Sequence, residues 1–212
     1  ISDGNELKDD SCTLYTFRST WLLIVIGQLQ YILLLDAELK KVMQLLETKN
    51  KQLIAERGIS RYWIIEDMDK FFYDLKVKDS LGKLKGKRPR TTDFTTMYTS
   101  LSQLHIINNL KIAVREAFDF NDQCDARHHQ DMATFEKITK HVEFIVKNTY
   151  IANDPENIRH QTKGIPMGTN CAPRLANLTL YVDEAKFVDG LLIRNQINEA
   201  KLHCHTKRFI DD

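Results

Sequence analysis

The sequence has no paired cysteines. Its four, Cys12, Cys124, Cys171 and Cys204, are widely spaced and form no C-x-x-C. That argues against a disulfide framework and makes a reducing compartment the default. There is no excess of charge of one sign: 30 Lys and Arg face 29 Asp and Glu, a formal net charge of +1. This excludes a uniformly basic protein that coats nucleic acid, while leaving local patches open. No apolar run is long enough to cross a bilayer. The best candidate, "WLLIVIGQLQYILLL" from Trp21 to Leu35, falls short of the roughly twenty residues a spanning helix needs. Gln28 and Gln30 interrupt it and Asp36 closes it, so it reads as a buried helix. No secretory pattern, internal repeat or low-complexity segment is present. The expected location is intracellular, in nucleus or cytoplasm, neither secreted nor in a membrane.

What remains is ordinary for a globular chain: 212 residues, 42% hydrophobic and 28% charged, enough for one sizeable domain or a domain with a helical extension. Residues 1–20 are polar and read as loosely ordered. Residues 21–57 read as helix, with Leu39, Val42, Met43, Leu46, Leu53 and Ile54 at helical spacing and Gly58 as a stop signal. This divides the chain into an N-terminal helical extension, 1–58, and a second unit, 59–212. "RYWII" at 61–65 is strand-like, and "EDMDKFFYDLK" reads as a short amphipathic helix. The stretch 76–90 carries Lys76, Lys78, Lys83, Lys85, Lys87, Arg88 and Arg90 against Asp79. It is either a phosphate-gripping segment or a solvated basic loop.

"RTTDFTTMYT" is β-branched and aromatic and reads as a strand. Leu104, Ile107, Leu110, Val114 and Phe118 lie on one helical face, as do Met132, Phe135, Ile138, Val142 and Ile145. "TYIANDPENIRHQTKG" reads as two short strands around an Asn-Asp-Pro turn. A helix opens near Pro173, and "KRFI" is a short strand. The alternation predicts an α+β fold with an antiparallel sheet. The His and Cys residues of "CDARHH" and "HCH" are irregularly spaced and read as polar surface, not as a zinc site.

Three stretches carry candidate chemistry. "TTDFTTMYTSL" places Asp93 at the end of a strand, with Tyr98 five residues on. "GIPMGTNCAPRLAN", 164–177, is a loop shaped by two glycines and two prolines that opens a helix. "RFIDD" ends on adjacent aspartates, Asp211 and Asp212. Adjacent carboxylates repel unless a cation shares them. With Asp93 they could hold two divalent ions about 4 Å apart, as in two-metal phosphoryl transfer. Hard carboxylate oxygens and no His ligand suit Mg²⁺.

These stretches resemble motifs A, B and C of reverse transcriptases, in that order. With "RYWIIEDMDKFF" upstream, the wording is most similar to the Penelope-like retroelements and the related cellular rvt genes, over roughly residues 60–212. The resemblance implies a right-hand polymerase fingers–palm fold with an antiparallel palm sheet, flanking helices and the thumb absent. It implies RNA-directed DNA synthesis on an RNA or DNA template with a primer, from deoxynucleoside triphosphates. Two Mg²⁺, with Mn²⁺ as an alternative ion, would be held by Asp93, the carbonyl of Phe94, Asp211 and Asp212. Tyr98 would exclude a ribose 2′-hydroxyl. Pro166, Met167 and Gly168 would line the nucleotide or template, glycine permitting close backbone approach. Phe209 replaces the usual Tyr of motif C. Motif C is the turn of a hairpin in that family, and the chain stops at Asp212, so a fragment is expected. The alternative reading is a catalytically inactive relic that binds nucleic acid.

Overall fold

A computed structural model describes residues 10–86, 88–94, 96–124, 128–152, 158–166 and 168–210, and places side chains from residue 32 onward except at 121–133 and 152. The long helix α1 spans Asp10–Arg57, so regular structure starts well inside the polar segment that reads as loose. No Gly or Pro interrupts residues 10–20, and a growing helix gains one hydrogen bond per residue fixed. It ends at Gly58, whose φ of +67° is the left-handed conformation a helix C-terminus favours. Its N–H donates to the Ile54 carbonyl at 2.9 Å.

Three further helices pack with α1: α4 (Gln103–Cys124), α5 (His128–Lys147) and α6 (Ala172–Ile193). Helix α4 lies at the centre, against α1, α5 and α6. The reason is in the spacing. Leu35, Leu39, Val42, Met43 and Leu46 form one stripe on α1, and Ile107, Leu110, Val114 and Phe118 form one on α4. Ile138, Val142 and Ile145 do the same on α5. All join a single core with Leu175, Leu178, Tyr181 and Val182 of α6. Each such side chain contributes about 1.5–3 kcal/mol by leaving water. Leu104, on the expected α4 stripe, sits in the first turn and is exposed. A smaller cluster joins Ile59, Val188 and Leu191 to Ala200 of α7 (Ile197–Leu202).

The expected antiparallel palm sheet is not formed. Among the described residues there are two two-stranded sheets. Strands β1 (Ile64–Ile65) and β4 (Arg208–Phe209) pair in parallel, Ile64 opposite Arg208. Strands β2 (Tyr150–Ala152) and β3 (Ile158–His160) form the expected antiparallel hairpin, its turn lying outside the described residues. The segment "RTTDFTTMYT" is not a strand: residues 88–94 have no regular structure and the short helix α3 follows at Met97–Ser100. The physical reason is partnership. β-propensity expresses packing on a pleated surface, and residues 91–94 are exposed with no strand among the described residues beside them to complete a ladder. The helices meanwhile satisfy their apolar stripes on one another, so the architecture is helix on helix.

Helix α2 (Met68–Ser80) forms where an amphipathic helix is expected, and its N-cap Asp67 accepts a hydrogen bond from the Lys70 N–H. It buries no residue. Phe72, Tyr73, Leu75 and Val77 are all exposed.

Candidate functional site

The first two candidate stretches meet through the backbone. Thr96 takes a left-handed conformation, φ +57°, an outlier for a β-branched residue. It turns the chain into α3. The Tyr98 carbonyl then accepts from the Ile165 N–H at 2.7 Å, and the Leu101 carbonyl from the Gly164 N–H at 2.8 Å. Gly164 permits this approach. Its φ is +89°, and a Cβ there would lie 2.3 Å from the Tyr98 carbonyl oxygen. Met97, Tyr98 and Leu101 pack against the main core, and Ile165 is part of it.

Gln161 organises the loop from inside. Its side-chain amide donates to the Lys163 and Ile165 carbonyls at 2.9 and 3.1 Å. Its own carbonyl accepts from Gln103 Nε2 at 2.7 Å, which also reaches the Val146 carbonyl at 2.8 Å. The hydroxyl of Thr169 closes the loop onto the Pro166 carbonyl at 2.9 Å. Pro166 is buried and Gly168 exposed. Gly168 also has positive φ, +82°, but a Cβ there meets nothing within 4 Å. Packing among the described residues therefore does not demand glycine at 168; the backbone conformation does. The loop feeds α6 with Pro173 in its first turn, as the sequence implies.

The third stretch meets the second through side chains. Arg208, buried on β4, sends Nε to Glu184 Oε1 at 2.6 Å and Nη2 to Oε2 at 3.2 Å. Its guanidinium also donates to Asn177, through Nη1 to Oδ1 and through Nη2 to the carbonyl. Burial holds the Glu184 carboxyl above its ordinary value, and Arg208 offsets this only in part. The Arg208 N–H donates to the Trp63 carbonyl at 2.7 Å. Asn177 is buried.

Asp93 and Phe94 are exposed, and no hydrogen bond or ion pair joins the Asp93 carboxylate to another described residue. Met167, Asp211 and Asp212 lie outside the described residues, so the expected convergence of the three aspartates does too. The resemblance gave no hint of Gln161, Gly164 as a contact point, Glu184 or Arg208. The available signals were a glycine two residues before Pro166 and a cation inside an apolar strand, both weak alone.

Two other polar clusters brace the helices. Arg61 bridges Glu116 and Asp189 at 3.1 and 2.8 Å, with Lys49 on Glu116 at 2.9 Å. Lys49, Arg61 and Glu116 border a cavity of about 250 Å³ that Asn50, Phe120 and Tyr181 help to line. Asn109 of α4 is almost wholly buried; it donates to the Thr179 carbonyl and to Asp183, each at 2.9 Å. No helix among the described residues is long and apolar enough to cross a membrane. Compared with family models, curated proteins and solved structures, the chain matches none of them.

Proposed function

We propose that this chain carries residues of a template-directed nucleotidyl transferase, extending a primer with deoxynucleoside triphosphates along an RNA template. The observation that supports the reading is that the second stretch meets each of the other two. Gly164 and Ile165 bond the carbonyls of Leu101 and Tyr98, and α6, which follows, holds Arg208. The reading rests on the motifs and this juxtaposition, not on a palm sheet.

The donor set assigned by the motifs, Asp93, the Phe94 carbonyl, Asp211 and Asp212, is hard oxygen throughout. The exposed Asp93, unengaged by any described side chain, fits such a role, and the set suits Mg²⁺, with Mn²⁺ as an alternative. When bound, the ions would supply Lewis-acid stabilisation of charge on the transferring phosphoryl group. The chain's own contribution is positional. Tyr98 is fixed at its carbonyl and packed against the core; the motif match assigns its ring as a steric gate against a 2′-hydroxyl.

The test is primer extension by the full-length protein. Asp93→Ala is expected to abolish incorporation with an unchanged melting midpoint, because an exposed, unengaged carboxylate contributes little to the fold. Tyr98→Ala is expected to raise ribonucleotide use relative to deoxynucleotide use. Wild-type extension by Asp93→Ala would remove Asp93 from the chemistry. A second reading, an inactive relic that binds nucleic acid, is favoured by the lack of an antiparallel sheet around β4 among the described residues. Nucleic-acid binding without incorporation at any ion concentration would select it.

A further inference from the structure

We infer that α2 and the turn that follows it form a docking surface for single-stranded nucleic acid, with Tyr73 stacking on a base and Lys76, Lys83 and Lys85 holding phosphates. The choice of partner rests on the reading above, but the surface lies outside the three motif stretches.

Helix α2 buries none of its residues, and Phe72 and Tyr73 are more than half exposed. Its C-terminus is nevertheless a closed turn. The Lys83 N–H donates to the Lys78 carbonyl at 3.0 Å and the Gly82 N–H to the Asp79 carbonyl at 2.8 Å, with Gly82 at φ +69°. A helix end closed in this way is frequently accompanied by an apolar contact between the two residues of the outer bond. Here those residues are lysines, Lys78 and Lys83, so the closure gathers ammonium groups instead. Lys207, just before β4, joins them. Loss of water around it first, and then the charge of Lys78, hold its ammonium below the ordinary value.

Charge decides the partner. From residue 80 to residue 92 the sequence has no acid, and Lys83, Lys85, Arg88 and Arg90 are exposed. No ion pair ties Lys76, Lys78, Lys83 or Lys85 to another described residue. Cations gathered without a counter-charge attract anions to that spot. Lys76 stands four residues after Phe72 and three after Tyr73, so it neighbours both rings on the helix surface. A cation beside an exposed ring is the pairing a single strand uses, with a phosphate on the one and a base on the other. An anionic membrane fits less well. Helix α2 itself carries Asp69, Asp74 and Asp79 against Lys70, Lys76 and Lys78, whereas a helix that lies on lipid has a polar face rich in cations.

The test uses the full chain and a labelled oligouridylate, with affinity read by fluorescence anisotropy at several salt concentrations and the melting midpoint read alongside. The altered side chains are exposed, so the variants are expected to melt with the wild type. Lys83→Gln/Lys85→Gln is expected to weaken binding at low salt and to make the fall of log affinity with log salt shallower by about 1.4, two phosphates lost from a single strand. Tyr73→Ser is expected to weaken binding about 5–100-fold with the salt dependence unchanged, as the loss of one stacked base does. Lys40→Gln/Lys41→Gln, exposed on α1, controls for overall charge and is expected to bind as the wild type. Wild-type affinity in the first two variants overturns the inference, as does an equal loss in the control. So does a wild type that binds no oligouridylate, including one that sediments instead with vesicles of phosphatidylserine and phosphatidylcholine. Primer extension run in parallel separates the two ideas. If the wild type binds and the variants lose binding while nothing is polymerised, the docking surface stands and nucleotidyl transfer does not.

Discussion

Gly164 and Gly168 stand four residues apart with nearly the same positive φ, yet they answer to different constraints. At 168, among the described residues, only the backbone conformation resists a side chain. At 164 a methyl group would also meet the Tyr98 carbonyl oxygen and the Thr99 Cα, the second at 3.0 Å. Neither is the yielding end of a flexible side chain. Gly168→Ala is expected to cost about 1–2 kcal/mol, the left-handed penalty alone. Gly164→Ala is expected to cost about 2–4 kcal/mol, that penalty plus overpacking. Denaturant midpoints of the two variants check the difference. Equal losses would mean that α3 shifts freely away from the loop. The motif resemblance singled out Gly168 and passed over Gly164. A sequence pattern marks a glycine, but whether the missing Cβ serves the turn or a neighbour depends on what the fold brings alongside.

At the scale of elements, α2 shows how little helical pattern says about burial. Its N-cap is satisfied by Asp67, and its aromatic residues look like a core face. Among the described residues little packs on it: Phe72 is 51% and Tyr73 67% exposed, and none of its residues is buried. A 13-residue helix without tertiary support is marginal, because helix nucleation is costly and packing supplies most of the stability. Its amides are expected to exchange through local opening at denaturant concentrations that leave α4 and α6 protected. Hydrogen exchange with residue resolution checks this; protection equal to that of α4 would show that α2 is covered. Helix α4 behaves in the opposite way. Its stripe at Ile107, Leu110, Val114 and Phe118 is legible because a period of 3.6 residues on a central helix has apolar neighbours to meet.

Across the whole molecule, two tyrosines couple the fold to alkaline pH. Tyr62 and Tyr181 lie with ring centroids 5.8 Å apart, both nearly buried in the main core. Burial first, and then the carboxylates of Glu66 and Glu116 respectively, hold their hydroxyls well above the ordinary value of 10.0. Below that value both hydroxyls are protonated in folded and unfolded chains alike, and they leave stability unchanged with pH. Above it the unfolded chain releases protons that the folded chain keeps, so stability falls as pH rises past about 10. The Tyr62→Phe/Tyr181→Phe variant is expected to lose less stability than the wild type between about pH 9.5 and 11. Urea titrations across that window check it, and parallel losses would place the alkaline sensitivity elsewhere.

The sequence by itself determined the helices whose stripes repeat without interruption, the stop at Gly58, the helix opening at Pro173 and the hairpin around residues 150–160. Each follows from local rules, in which a period, a cap or a turn residue acts within a few positions of itself. It also set out the order of the three candidate stretches. Only the tertiary structure decided that residues 88–94 would not be a strand, since a strand exists by its neighbour and none of the described strands lies beside them. Only the tertiary structure paired β4 with β1, bringing Arg208 opposite Ile64, and seated Arg208 on Asn177 and Glu184. Long-range pairing depends on which surfaces remain after the helices have packed, and no local pattern of residues carries that information.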